Sequence, residues 1–402
     1  KRSRRQFFSC CKDIKKDLLK KSLLYLIMNR IKSIDSLRGF VMILMLLDHV
    51  RETFYLHLQV SDPVNVFETS PELFYTRFVT FICAPVFIYL TGLSAWLFLK
   101  KNSRDETSKF LLKRGLFLVL MEITVINFLW GGQYPPDMFF LQVIWCIGIC
   151  MIFLSFLIYL KPRLILLIGV LIICSHNYFL DFSVNSESIF YKLWAILYQR
   201  EVIELSGFLF RTSYPVLPWI GVIALGFSSG IWFSKEKPPS YKKRKMLTYG
   251  LAGFLIFLVI RFVNIYGDTA WINTGDFQTT LMSFLSLSKY PPSFLFNLLM
   301  ISLGLLIMLF CEKFQDNKFV KTLSQFGSAP MFFYVLHLTV LLVIYKICYF
   351  IYGPNQGEYF SLPNVESLWI TFVILSIALY FPTKWFALYK HSNKNIKWLK
   401  YF

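Results

Sequence analysis

The sequence predicts an all-α protein that crosses a membrane about ten times, with both termini on the cytoplasmic side. Hydrophobic residues make up 56% of its 402 residues and charged residues only 16%, a balance unusual for a water-soluble protein. Apolar runs of about 18 residues or more recur along the chain, and such runs cross a bilayer as single helices. The lipid bilayer is therefore the predicted environment of the chain.

The positive charge is distributed as in membrane proteins. The net charge is +19, and 33 of the 42 Lys and Arg residues lie in six clusters, within 1–32, 100–114, 161–163, 235–245, 313–321 and 384–400. Basic clusters that alternate with sparsely charged loops mark the cytoplasmic side of a membrane. This placement also argues against a nucleic-acid partner.

Ten spans follow from length and hydropathy. They cover roughly 35–56, 74–99, 115–130, 139–160, 164–180, 214–234, 246–265, 293–312, 328–351 and 367–389. An even number of spans agrees with two cytoplasmic termini. Apolar residues at helical spacing from Ile189 to Leu197 predict a further short helix on the outer surface.

The chain divides into a basic tail over 1–30, a transmembrane domain over 31–390 and a second basic tail over 391–402. Met28 stands directly before the first span, and we expect the protein to begin there. The eight cysteines are scattered, without the spacing of a metal site or a disulfide framework. We therefore predict no bound metal.

The first span carries an unusual combination of charged residues and histidine. In a helix, Arg38 and His49 lie about three turns, or 16 Å, apart and within about 20° of the same stripe. Asp35 falls within about 60° of Arg38, whereas Asp48 points elsewhere. This stripe predicts a binding surface for a molecule with an anionic head and a long arm, with Asp35 and Arg38 at the head.

A second histidine is predicted at a similar depth. His337 and His49 both lie about 14 to 17 Å into the bilayer, so their imidazoles can face one cavity. The simpler interpretation of His337 is a histidine hydrogen-bonded between two helices.

Other ionisable residues inside the spans are candidate functional residues, because burial in lipid is unfavourable for a charged side chain. Glu122 needs an Arg or His partner or a proton. Arg77 and Arg261 lie nearer the outer face, where they snorkel or pair with outer-loop acids such as Asp62 and Asp268.

Acyl transfer from coenzyme A fits an imidazole at mid-membrane and a cation at the cytoplasmic mouth. Arg38 would neutralise phosphates, and His49 would deprotonate an acceptor or take the acyl group itself, with Asp48 or His337 orienting it. A proton-coupled secondary transporter is the alternative, since intramembrane His, Asp and Glu also suit proton relays. No internal repeat is visible, which weakens that alternative. A catalytically inactive membrane scaffold is the third interpretation.

Several sequence blocks together resemble one family. They are Ser33 to Gly39 (SIDSLRG), Leu47 to His49 (LDH), Phe78 to Gly92, Leu217 to Gly226, Tyr266 to Asp268, Lys289 to Ser293 and Phe326 to His337. In these blocks the chain resembles bacterial multispan proteins related to the catalytic domain of heparan-α-glucosaminide N-acetyltransferase. The resemblance implies a transmembrane acyltransferase of the bacterial inner membrane. The enzyme would use cytoplasmic acetyl-CoA to acylate a sugar or lipid-linked glycan on the other face.

The resemblance leaves two histidines as candidates for the catalytic base. The Asp35, Arg38 and His49 spacing is also similar to that of bacterial O-acyltransferases of surface polysaccharides, which implies a functional Arg38 and His49. In the lysosomal enzyme an Asn stands where Asp48 stands here, and the proposed catalytic His follows nearer His57. We favour His49, because it lies on the stripe, and keep His57 as the alternative. The resemblance does not extend to heparan as the acceptor, and a homodimer remains open.

Overall fold

A computed structural model of the protein describes residues 31–179, 182, 184–185, 187–188, 190–393, 395–396 and 398–399. The first half of the chain forms helices α1 Lys32–Phe54, α2 Pro71–Thr80, α3 Cys83–Leu99, α4 Arg104–Met121, α5 Asn127–Gly131, α6 Val143–Leu157, α7 Pro162–Ser175 and α8 Tyr191–Leu197. The second half forms α9 Leu217–Ser229, α10 Pro239–Val263, α11 Phe277–Leu285, α12 Phe294–Lys313, α13 Lys318–Phe326, α14 Pro330–Tyr352 and α15 Val365–Ser392. A π-helical turn, Glu122–Ile126, joins α4 to α5, and 3₁₀ turns, His176–Phe179 and Gly230–Phe233, extend α7 and α9.

Among the described residues, six helical segments are long and apolar enough to cross a membrane. They are Pro71–Leu99, Pro162–Phe179, Pro239–Val263, Phe294–Lys313, Pro330–Tyr352 and Val365–Ser392. Two shorter apolar helical segments, Val143–Leu157 and Leu217–Phe233, accompany them. Each of the ten predicted spans coincides with a helix or helical run, but the number ten and the cytoplasmic termini stay predictions.

Helix α1 lies inside the bundle. It packs against α2, α3, α12, α13, α14 and α15, and 16 of its 23 residues are buried. Helix α10, by contrast, buries only four of its 25 residues and exposes apolar side chains such as Val259 and Phe262. The charged α1 is therefore shielded by the more apolar helices around it, as ionisable residues in a membrane require.

A close backbone approach positions the first turns of α1. A Cβ atom on Gly39 would lie 2.0 Å from the carbonyl oxygen of Leu323 in α13. Only glycine therefore allows the two backbones to come this near. The approach places Arg38 beside Gly327, just after α13, where its guanidinium is 3.4 Å from the Gly327 carbonyl oxygen.

A small three-stranded sheet departs from the all-α prediction. Strands β1 Met138–Phe140, β2 Val202–Leu205 and β3 Phe208–Arg211 lie in the order β1-β3-β2, with β1 parallel and β2 antiparallel to β3. Ser206 and Gly207 both have positive φ, which suits the two-residue turn of the β2–β3 hairpin. The predicted fourth span is thus too long at its start, because residues 138–140 pair with this hairpin instead of continuing the helix.

The predicted outer-surface helix is present as α8, while Ile189 at its start lies outside the described residues. The basic tail 1–30, which contains the expected first residue Met28, also lies outside the described residues. Part of the tail 391–402 lies outside them as well.

Candidate active site

The Arg38 end of α1 is organised by a salt bridge. The Arg38 guanidinium lies 2.8 Å from a carboxylate oxygen of Asp35, one turn earlier, and also 3.4 Å from the Ser94 hydroxyl of α3. Asp35 is buried, so it holds the arginine in place by charge and geometry. The predicted pair is therefore present, with Asp35 as the partner that orients Arg38.

A cavity of about 290 Å³ begins at this arginine. Its lining includes three cationic side chains and a tyrosine among mostly apolar side chains. Residues of this lining are Arg38, Met45, Ser94, Arg114, Tyr334 and Lys390. Arg38 is about 16 Å along α1 from His49, whereas the Tyr334 ring contacts the His49 ring at a centroid distance of 5.7 Å. The cavity thus extends from the guanidinium toward the imidazole.

The two predicted histidines meet directly. Nδ1 of His49 lies 2.6 Å from Nε2 of His337, and both side chains are buried. Nδ1 of His337 lies 2.7 Å from the carbonyl oxygen of Phe333, one turn earlier in α14. The sequence placed these imidazoles at similar depth, and the fold brings them into one hydrogen-bonded pair.

The hydrogen bonds assign a tautomer to each neutral ring. The Phe333 carbonyl can only accept, so Nδ1 of His337 carries a hydrogen and its Nε2 carries a lone pair. His49 must then donate from Nδ1, which leaves the lone pair of His49 on Nε2. Within the described part of the chain, that Nε2 atom has no hydrogen-bond partner. His49 is therefore oriented as a base or nucleophile, and His337 orients it.

Aromatic rings surround the histidine pair. Trp130 of α5 and Tyr334 of α14 both stand edge-on to the His49 ring, at centroid distances of 5.0 and 5.7 Å. Phe333 stacks on His337 at 5.0 Å. Sequence reasoning did not single out Trp130 or Tyr334 as site residues. Tyr334 lies three residues before His337, a spacing that places both residues on one face of a helix. This spacing could have identified Tyr334 as a site residue from the sequence.

Among the described residues, Asp48 makes no hydrogen bond with either histidine of the pair. Its carboxylate lies 2.9 Å from the Arg51 guanidinium and 3.8 Å from Nζ of Lys289. The orienting partner of His49 is accordingly His337. Asp48 instead begins a buried ionic cluster and is not among the residues that line the cavity.

Loop residues complete this ionic cluster, defined here as Asp48, Arg51, Asp62, Arg77 and Lys289. Asp62 accepts hydrogen bonds from the backbone N–H groups of Lys289 and the next residue and lies 3.5 Å from Arg77, as predicted for an outer-loop acid. Burial raises the pKa of Asp62, and Arg77 and the backbone N–H of Lys289 oppose that shift. Burial alone would lower the pKa of Lys289, but the neighbouring Tyr290 hydroxyl and Asp48 raise it overall, so the ammonium stays charged.

Glu122 has a structural contact at the start of another helix. It is fully buried in the π-helical turn, and its Oε2 accepts the backbone N–H of Trp145 at 2.9 Å, in the first turn of α6. Its other oxygen has no hydrogen-bond partner among the described residues, and no cation pairs with it there. Glu122 thus anchors the unsatisfied N-terminus of α6, and an Arg or His partner is not part of its surroundings.

His57 lies in the loop after α1 and stacks on Tyr55 at a centroid distance of 5.7 Å. Burial lowers the pKa of His57, which favours the neutral ring. The described contacts do not bring it to His49 or His337. Arg261, for which the sequence left snorkelling or pairing with an outer-loop acid open, binds four backbone carbonyls through its guanidinium, including those of Thr269 and Phe284.

The family resemblance is confirmed by comparison with family models. The model described as "Heparan-alpha-glucosaminide N-acetyltransferase, catalytic" matches residues 30–266, more than half of the chain. This region includes Arg38, His49 and Trp130, while the resembling blocks at Lys289 and His337 lie beyond it. No curated protein sequence matches the chain. The chain therefore belongs to the heparan-α-glucosaminide N-acetyltransferase catalytic family and is a multi-pass membrane protein.

Proposed function

We propose that the protein transfers an acetyl or similar acyl group from acyl-coenzyme A to a sugar or glycan acceptor. The donor enters on the Arg38 side, and the acceptor approaches from the side of the ionic cluster. By the distribution of basic residues, the Arg38 side is cytoplasmic and the acceptor side extracytoplasmic. The resemblance to bacterial members favours the bacterial inner membrane as the location.

The hydrogen-bonded histidine pair carries this proposal. The chain from the Phe333 carbonyl through His337 to His49 fixes an imidazole lone pair on His49 Nε2. General acid–base catalysis needs such a positioned lone pair and contributes about 10²- to 10⁴-fold in rate.

The cavity supports a donor with a slender arm. Its volume of about 290 Å³ is at the lower limit of small-molecule pockets. It suits a flexible chain such as pantetheine, with the nucleotide remaining outside at the mouth. Three lining cations, Arg38, Arg114 and Lys390, match the phosphate groups that such a donor carries.

In the direct reaction, the acceptor oxygen or nitrogen bonds to the thioester carbonyl carbon while His49 Nε2 takes its proton. The carbon–sulfur bond then breaks, and the departing sulfur receives that proton from His49. His337 accepts the Nδ1 hydrogen bond of His49 throughout, so the positive charge on the intermediate imidazolium stays oriented. Asp48 and Arg51, adjacent on α1, flank the approach of the acceptor.

Transfer of a radiolabelled acetyl group by purified protein tests the proposal. We expect His49→Ala to lose activity by about 10²-fold or more and His57→Ala to retain most of it. A His57→Ala variant that is inactive beside an active His49→Ala variant would move the catalytic base to His57. Uptake of a sugar into vesicles without thioester consumption would refute the enzyme and favour the transporter.

A further inference from the structure

Two buried hydrogen-bond donors beside His49 are unsatisfied among the described residues. Within the described part of the chain, neither Nε1 of Trp130 nor the hydroxyl of Tyr334 makes a hydrogen bond, although both atoms are buried. Leaving a buried polar group unsatisfied costs about 1–3 kcal/mol. Native proteins leave few such groups unpaired, and those that remain call for an explanation.

Both donors belong to rings that pack against the His49 ring. Trp130 and Tyr334 stand edge-on to the His49 ring, with interplanar angles of 73° and 84°. Tyr334 also contacts the His337 ring at 5.3 Å and lines the cavity. The indole of Trp130 interacts with the Tyr334 hydroxyl without meeting the geometry of a hydrogen bond. The two donors therefore converge beside His49, and Tyr334 connects this position to the cavity.

The chemistry of these donors restricts the atom that they bind. An indole N–H can only donate, so its ligand must be an acceptor. A carbonyl oxygen has two lone pairs and can accept from Trp130 and Tyr334 together. Neither donor is charged, so they suit an oxygen that is neutral on arrival and becomes negative during the reaction.

We propose that Trp130 and Tyr334 form the oxyanion hole of the acyl transfer. This inference rests on the proposed function. As the acceptor adds to the carbonyl carbon, the π electrons of the carbonyl bond move to its oxygen, and the two donors stabilise that oxyanion. The electron pair then returns, the carbon–sulfur bond breaks, and the sulfur takes the proton held by His49. Hydrogen bonds to the oxyanion are stronger than those to the neutral carbonyl, so the two donors lower the barrier.

The decisive variant is Tyr334→Phe, which removes one hydroxyl and keeps the ring. We expect its kcat for acetyl transfer to fall by about 10²- to 10³-fold, as for the loss of one oxyanion-hole donor. The KM for acetyl-CoA should change by less than about twofold, because the hydroxyl stabilises the transition state and not the bound donor. The thermal protection by free coenzyme A, which lacks the carbonyl, should change as little. Its thermal midpoint should not fall, because the lost hydroxyl makes no hydrogen bond of good geometry among the described residues. Tyr349→Phe, the same change at an exposed position of α14, is the matched control and should behave as wild type.

Trp130→Phe is the second variant and removes the other donor. We expect a lower kcat with coenzyme A protection retained. If both variants keep kcat within threefold of wild type while His49→Ala is inactive, the oxyanion hole is refuted and the proposed function stands. A fall in coenzyme A protection that parallels the fall in kcat also refutes it, since the tyrosine would then support binding. If wild-type protein consumes no thioester, the proposed function fails and this inference fails with it.

Discussion

Replacing His337 tests the orienting role that the hydrogen-bond chain assigns to it. His337→Leu keeps a side chain of similar bulk and removes the acceptor that lies 2.6 Å from Nδ1 of His49. The reactive tautomer of His49 then has a buried N–H without a partner, which costs about 1–3 kcal/mol. The other tautomer places the hydrogen on Nε2, where it blocks the lone pair.

This free-energy difference converts directly into a rate. A penalty of about 1–3 kcal/mol lowers the population of the reactive tautomer, and hence kcat, by about 5- to 150-fold. His337→Gln offers an amide oxygen in place of the imidazole nitrogen, so we expect it to recover most of the loss. His49→Ala should lie below both, because it removes the base and not only its orientation.

The assay is single-turnover transfer of labelled acetyl from acetyl-CoA, with the thermal midpoint of each purified variant measured in the same detergent. Coenzyme A protection should be unchanged in all His337 variants, because His337 does not line the cavity. A folded His337→Leu protein with wild-type kcat would refute the tautomer argument. A His337→Gln protein no more active than His337→Leu would refute the acceptor role specifically.

Three further predictions concern the donor mouth, the ionic cluster and the packing of α1. Arg38→Gln should raise the KM for acetyl-CoA with a smaller effect on kcat, and added salt should reduce the difference in KM between variant and wild type as it screens the wild-type charge. Asp48→Asn should lower the thermal midpoint, because it leaves buried cations unpaired at a cost of about 3–5 kcal/mol. Adding Lys289→Gln should restore part of the loss. An unchanged midpoint in Asp48→Asn would contradict the pairing. Gly39→Ala should lower the thermal midpoint, since its Cβ would lie 2.0 Å from a carbonyl oxygen of α13. Gly131→Ala is the control and should leave the midpoint unchanged, because its Cβ would meet nothing within 4 Å. Equal midpoints in the two variants would contradict the close approach.

Helical periodicity was sufficient to predict the part of the site that lies on single helices. Arg38 and His49 share a stripe of α1 because their separation is close to a whole number of turns. Counting residues from the ends of two spans also placed His49 and His337 at the same depth. The direct contact between them follows from the packing of α1 on α14, which no local pattern encodes.

The remaining site residues depend on contacts between distant segments. Lys289 reaches Asp48 because Asp62 holds its backbone N–H, and these three residues come from separate parts of the chain. The position of Glu122 inside a span makes it a candidate, and its contact with Trp145 depends on where α6 lies relative to the π-helical turn. Burial in a span thus identifies an unusual residue, while its partner must come from the three-dimensional structure.

The position of His49 between two unlike environments has a consequence for the order of the reaction. On one side the cavity with its cations suits an anionic donor, and on the other the charged pair of Asp48 and Lys289 offers hydrogen-bonding groups to a polar acceptor. Within the described site, the Nε2 lone pair of His49 is the one histidine nitrogen left available between them, so one nitrogen must serve both substrates. Direct transfer therefore requires both substrates to be bound together, and a pattern of initial rates that intersects when donor and acceptor are varied would follow. Parallel lines, together with labelled acetyl retained on the protein after removal of the donor, would instead mean that His49 itself carries the acyl group from one side to the other.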